Sequence, residues 1–148
     1  MTNAERETRN AEPQAGVGPR FDLRERTRAF ALAVIRLVEK YPRGRTSEVV
    51  GRQLLRSATS VGANYRAARR ARSRRDFIAK MGIVEEEADE SAYWLDLSAD
   101  ARLGDVAVLH ELRREAGELL AIAVASIRTA RGGPPAVPRS AFRVPRSP

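Results

Sequence analysis

The sequence predicts an all-α protein, an up-down-up-down four-helix bundle, on three observations. Apolar residues recur at spacings of three, four or seven from Phe21 to Gly132, and strand-type alternation appears nowhere. Helix start and stop signals divide that stretch into four, and the connections between them are short. Both ends have a different composition from the middle. Residues 1–20 are polar, with Pro13, Gly16, Gly18 and Pro19 among them and Val17 as the one branched aliphatic, so they are expected to be disordered. Residues 133–148, "GPPAVPRSAFRVPRSP", read as a disordered Pro/Arg-rich tail. The folded unit is thus expected over residues 21–132, a suitable length for one core.

The first helix is expected from Leu23 to Tyr41. Asp22 with Glu25 three residues on forms a capping pair, Leu23, Phe30, Val34, Leu37 and Tyr41 share a stripe, and Pro42 and Gly44 end it. Thr46 or Ser47 is the expected start of the second helix, whose stripe is Val50, Leu54, Ala58, Val61 and Tyr65. The turn to the third helix falls within "AARRARS", where Ser73 and Asp76 make another capping pair. The third stripe is Phe77, Met81, Val84, Ala88, Ala92 and Leu95, ending near Arg102. Asp105 caps the fourth helix, with Val108, Leu112, Leu119, Ile122 and Ile127 on its inner face and Gly132 and Gly133 at its end.

Charge is the second theme. The chain carries 27 basic against 19 acidic residues, a formal charge of +8, and only Lys40 and Lys80 of the bases are lysine. Such an excess attracts phosphate, although an arginine bias also follows from genomic composition. From Arg43 to Arg75 there are ten arginines and one acid, Glu48; from Asp76 to Asp105 there are nine acids against Lys80 and Arg102. The sharpest cluster is Arg66, Arg69, Arg70, Arg72, Arg74 and Arg75. These guanidiniums are candidates for binding nucleic acid by forked hydrogen bonds, with Arg74 and Arg75 beside the dipole of the third helix. The competing reading pairs them with "EEEADE" inside the protein or between subunits, and both remain open at this stage.

Asn64 follows a run of small residues, which suggests a buried interhelical hydrogen bond that sets register; a surface contact is the alternative. The single histidine, His110, leaves no Glu-x-x-His pair for a carboxylate-bridged metal site, so no metal is expected. With no cysteine and no nucleophile elbow, phosphate loop or dinucleotide fingerprint, no catalytic residue, enzyme activity or cofactor is expected. Tyr65, Tyr93 and Trp94 suit either base stacking or packing. The absence of cysteine and of a long apolar window leads to the expectation of a cytoplasmic protein with no membrane partner.

"LLRSATSVGANYRAARRARSRRDFIAKMGIVEEEADESAYWL" resembles the central block of the bacterial 23S rRNA intervening-sequence proteins, where "IRRAAVSIPSNIAEG" precedes "RSKKEFIRFLSIALGSLAELE". Leu55, Arg56, Ala58, Ser60, Val61 and Asn64 match the first part, and Ser73 to Ile78 the second. "RFDLRERTRAFALAVIRLVEKYPRG" is similar to the entry helix of that family. Gly62 replaces its proline, which leaves a kink of the second helix open, and Arg66-Ala67-Ala68 replaces its "AEG". The resemblance implies a four-helix bundle assembling as a ring, a homopentamer, without a settled activity. A related bundle, the accessory protein of diversity-generating retroelements, binds nucleic acid and a reverse transcriptase, which makes RNA or DNA and a protein partner reasonable by analogy. The leading expectation is a non-enzymatic homo-oligomeric adaptor that binds nucleic acid, RNA foremost, through an arginine-rich rim. The alternative is a structural or protein-interaction module whose segregated charges serve self-assembly and a protein partner.

Overall fold

The computed structural model describes residues 22–132; the terminal segments expected to be disordered, 1–20 and 133–148, lie outside the described residues. Four helices make up the described chain: α1 (Leu23–Glu39), α2 (Arg45–Arg69), α3 (Arg74–Asp100) and α4 (Val106–Ala130). No strand occurs among the described residues. Local chemistry sets three of the four helix starts. Asp22 accepts from the Glu25 amide at 3.3 Å, Ser73 from the Asp76 amide at 3.0 Å, and Asp105 from the Val108 amide at 3.0 Å. Each satisfies an amide that the first helical turn leaves without an acceptor.

The start of α2 differs from expectation. Its cap is Gly44, with no side-chain hydrogen bond, at φ +152°, a conformation that disfavours a side chain; Ser47 lies inside the helix and is buried. At the same end of the bundle, where Gly104 of the following loop lies against Leu37 and Tyr41, α3 stops at Asp100, two residues before the expected point. Arg102 takes a left-handed conformation at φ +56°, its amide bonds to Ala99 O at 3.1 Å, and the Leu103 amide bonds to Ser98 O at 3.0 Å. This pair of bonds is the Schellman arrangement, which closes off the last carbonyls of the helix.

Packing follows chain order. Helix α3 contacts α2 and α4 most extensively, α1 packs chiefly on α2, and the α1–α4 seam is the thinnest. The core is one cluster, with Phe30 and Val34 from α1, Leu54, Ala58 and Val61 from α2, Met81, Val84 and Leu95 from α3, and Leu109 and Leu119 from α4 at its centre. The stripes expected for α1, α2 and α3 lie in or against this cluster, with Tyr41, Tyr65 and Phe77 at its margin, except Val50, which is buried outside it. For α4 the expected stripe holds at Leu112, Leu119 and Ile127 and misses at Val108 and Ile122. Val108 is 39% exposed, while Leu109, Leu112, Ala116, Leu119, Ala123 and Ile127 are buried. Ile122 packs only at the margin.

Two close approaches bring α1 onto α2. A Cβ on Gly51 would lie 2.8 Å from Val38 Cγ1, and one on Gly62 would lie 3.3 Å from Thr27 Oγ1. Gly62 therefore lets the helices meet, and α2 runs through it as one uninterrupted helix rather than a kinked one. Between α2 and α3 the inner polar contact joins two serines. Ser91 Oγ donates to Ser57 Oγ at 3.0 Å, so residues 34 apart in the chain meet across the hairpin. Near the opposite loops the Tyr41 and Ser98 hydroxyls are buried and face each other without a well-formed hydrogen bond to any described residue. Burial raises the Tyr41 phenol above its ordinary pKa, and the Ser98 hydroxyl offsets part of that rise.

Candidate nucleic-acid interface

Helical periodicity distributes the arginines of "LRERTR". At 100° per residue Arg24 and Arg28 lie about 40° apart, whereas Arg26 points the opposite way. Arg26 turns to α4, where Nη2 donates to Glu115 at 2.8 Å and to Glu118 at 2.6 Å. Burial opposes its charge, but the two carboxylates outweigh that and hold its pKa above the usual value. Arg24 and Arg28 turn to α2. There they line a groove of about 610 Å³ together with Arg66, Arg69 and Arg70 of α2 and the half-buried Tyr65. Its remaining lining is small: Thr27, Ala31, Thr59, Gly62 and Ala63. No acidic residue lines it, and none of the five arginines belongs to an ion pair among the described residues.

The sequence cluster is thereby divided. Arg66, Arg69 and Arg70 enter the groove, while Arg72, Arg74 and Arg75 are exposed at the α2–α3 turn and the start of α3. That helix start already holds a carboxylate. Asp76 lies in the first turn of α3, and its Oδ2 accepts from the Arg72 backbone amide at 3.4 Å. Arg24 and Arg28 were not singled out from the sequence. Their four-residue spacing on one face was visible, but only the α1–α2 packing at Thr27 and Gly62 puts them beside Arg66.

The acidic run pairs elsewhere. Because Ser57 lies level with Ser91, Glu87 and Glu90 face Arg56, which donates to Glu87 at 3.3 Å and also to Glu90. Trp94 Nε1 donates to the same Glu90 carboxylate at 3.2 Å. The Arg56 bond, ahead of the Trp94 bond and against some burial, holds the Glu90 pKa below the usual carboxylate range. A depressed carboxylate stabilises the fold above its unfolded pKa of about 4.3 and loses that contribution as pH falls through the folded value. Arg56→Gln should therefore flatten the acid limb of the stability profile below about pH 4.5. Urea midpoints measured down the acid range check this; identical acid limbs would show that the pair is fully screened by solvent.

Asn64 does not bridge helices. Its Nδ2 donates to Ser60 O at 2.8 Å, one turn back along α2, because the residue lies at the margin of the helix rather than on its inner stripe. A buried interhelical hydrogen bond joins Ser57 and Ser91 instead. Tyr93 is 58% exposed and meets Trp94 edge to face, with ring centroids 4.9 Å apart. His110 and Glu111 are exposed on α4, and no group of metal-ligating side chains is assembled among the described residues. Among those residues no helix is long and apolar enough to cross a membrane.

The family model of the 23S rRNA-intervening sequence proteins matches residues 20–125, which is most of the chain and all of the groove. The chain belongs to the 23S rRNA-intervening sequence protein family. A crystal structure of a protein with unknown function from the S23 ribosomal protein family of Bacteroides thetaiotaomicron is 30% identical to this 23S rRNA-intervening sequence protein. The alignment covers 71% of this chain and 97% of that one, with a TM-score of 0.66. No curated protein matches this member of the family.

Proposed function

We propose that this protein is a non-enzymatic, homo-oligomeric adaptor that binds nucleic acid, with RNA as the expected ligand, through an arginine-rich rim. In this reading the four helices run up-down-up-down and the bundles close into a ring of five in the cytoplasm. The observation that carries it is the groove between α1 and α2, where five arginines converge without a carboxylate among the lining residues. Guanidiniums without acidic partners keep their donors for phosphate oxygens, which they engage in forked pairs. The family's link to rRNA insertions agrees with this choice of ligand.

Fluorescence anisotropy of labelled RNA against the intact protein tests it. Affinity should fall linearly in log–log form as salt rises, as counterion release requires. Absence of binding even at about 50 mM salt would overturn the reading. Light scattering should give about five times 16.4 kDa; a 16.4 kDa particle would remove the ring. The second reading, a protein-interaction module, is favoured by exposed Leu32, Tyr93 and Val106 and by the Arg56–Glu87–Glu90 pairing outside the groove. It predicts a stable assembly without nucleic-acid affinity.

A further inference from the structure

We infer that the α1–α2 groove is built for an unpaired nucleotide, so that the protein selects single-stranded over duplex nucleic acid, with the base against Tyr65 and the flanking phosphates on the arginine rim. This rests on the nucleic-acid reading above and deepens it. Between its arginines the groove is lined by small residues and Tyr65. Thr27 Oγ1 bonds to Arg24 O at 3.2 Å, and Thr59 Oγ1 bonds to Leu55 O at 2.7 Å, so both hydroxyls are engaged with their own helix. Besides the arginines, what the groove offers a ligand is threonine and alanine methyl groups and the partly buried Tyr65. Gly62 adds no side chain there, and a Cβ at that position would already crowd Thr27.

An apolar and aromatic lining between arginines matches one end of a nucleotide to each part. Exposed bases stack on aromatic rings whatever their identity, while guanidiniums track the backbone. A duplex keeps its base faces inside the stack and offers the groove only phosphates and edges. It would engage the arginines and leave Tyr65 uncovered. The volume, about 610 Å³, falls in the range of clefts that take small organic ligands, roughly 300–1,000 Å³. Arg74 and Arg75, by contrast, lie outside this lining, in the same first turn of α3 as Asp76.

Three labelled probes of one length, about twelve nucleotides and thus within the span of a single-strand site, separate the possibilities on the full chain. They are an oligouridylate strand, an abasic strand with the same phosphates, and an RNA duplex. The oligouridylate should bind tightest. Tyr65→Leu, which keeps an apolar side chain at the core margin, should weaken it by about 5- to 150-fold, the range of one lost base–aromatic stack. The same variant should leave the abasic and duplex affinities unchanged, and Tyr65→Phe should restore oligouridylate binding. Equal affinity of the three probes for the unaltered protein would overturn the inference while keeping the nucleic-acid reading, and needs no variant to fold. Binding of none of the three would overturn both.

Discussion

Replacing Arg24, Arg28, Arg66, Arg69 and Arg70 with glutamine is expected to remove about three to four orders of magnitude of RNA affinity at 0.1 M salt while leaving helicity and particle size unchanged. The magnitude follows from counterion release: each phosphate contact with a single strand contributes about 0.7 to the slope of log affinity against log salt, and so about 0.7 decade at 0.1 M salt. If each of the five meets one phosphate, the slope falls by roughly 3.5. The fold should survive because these side chains are exposed and take part in no ion pair among the described residues. Removing mutual repulsion among them, if anything, stabilises the bundle.

The same experiment ranks the two halves of the sequence cluster. Helix-dipole reasoning alone favours Arg74 and Arg75. Asp76, in the first turn of α3, already places a carboxylate there, and a phosphate arriving at that end meets its repulsion. Arg74→Gln with Arg75→Gln should therefore cost less affinity than Arg66→Gln with Arg69→Gln. Anisotropy titrations over a salt series decide both points. A quintuple variant that binds as the parent does would exclude the groove, and one that sediments as smaller species would place these arginines in a subunit interface.

Features of the site and fold that depend on neighbouring residues were legible before the structure, and those that depend on helix pairing were not. Asp22, Ser73 and Asp105 cap their helices as expected because a cap acts over three residues. At the start of α2 the hydroxyls of Thr46 and Ser47 gave a plausible signal, but the chain bends at Gly44, whose backbone conformation no side-chain preference announces. On α4 the stripe is legible at Leu112, Leu119 and Ile127, but large aliphatics such as Val108 outweigh the alanines that complete the buried face. Ala116 and Ala123 are fully buried where α4 comes close to its neighbours, and Val106, Val108 and Val124 are left outside. Segregated charge suggested that the basic cluster and the acidic run face each other. Within the chain Arg56 of the basic segment does meet Glu87 and Glu90 of the acidic run, whereas the cluster from Arg66 to Arg75 lies several turns away at the α2–α3 turn. Two of the groove's five arginines, Arg24 and Arg28, required knowing that Thr27 meets Gly62.

Leu54→Ala is expected to cost the bundle about 2–5 kcal/mol, a large fraction of the roughly 5–15 kcal/mol that holds a domain of this size together. Leu54 is 0% exposed, on a helix that packs against α1 on one side and α3 on the other. Side chains from two helix backbones cannot readily collapse into the space a leucine leaves, so the variant keeps most of the cavity as well as losing the burial. Its neighbours sharpen the effect. Ser57, one turn on, holds the hydroxyl pair with Ser91, and loosening of that layer would open the pair to partial desolvation without a bond. Leu55→Ala, at the partly buried margin of the core, is the control and should cost clearly less. Urea or thermal unfolding of the two variants measures the difference; equal losses would mean that the inner face of α2 is misassigned by one residue. The consequence reaches the groove, because α2 carries Arg66, Arg69, Arg70 and Tyr65 on the same rigid element. At temperatures where Leu54→Ala still folds, RNA affinity should match the parent, and it should vanish with the helical signal on heating rather than before it.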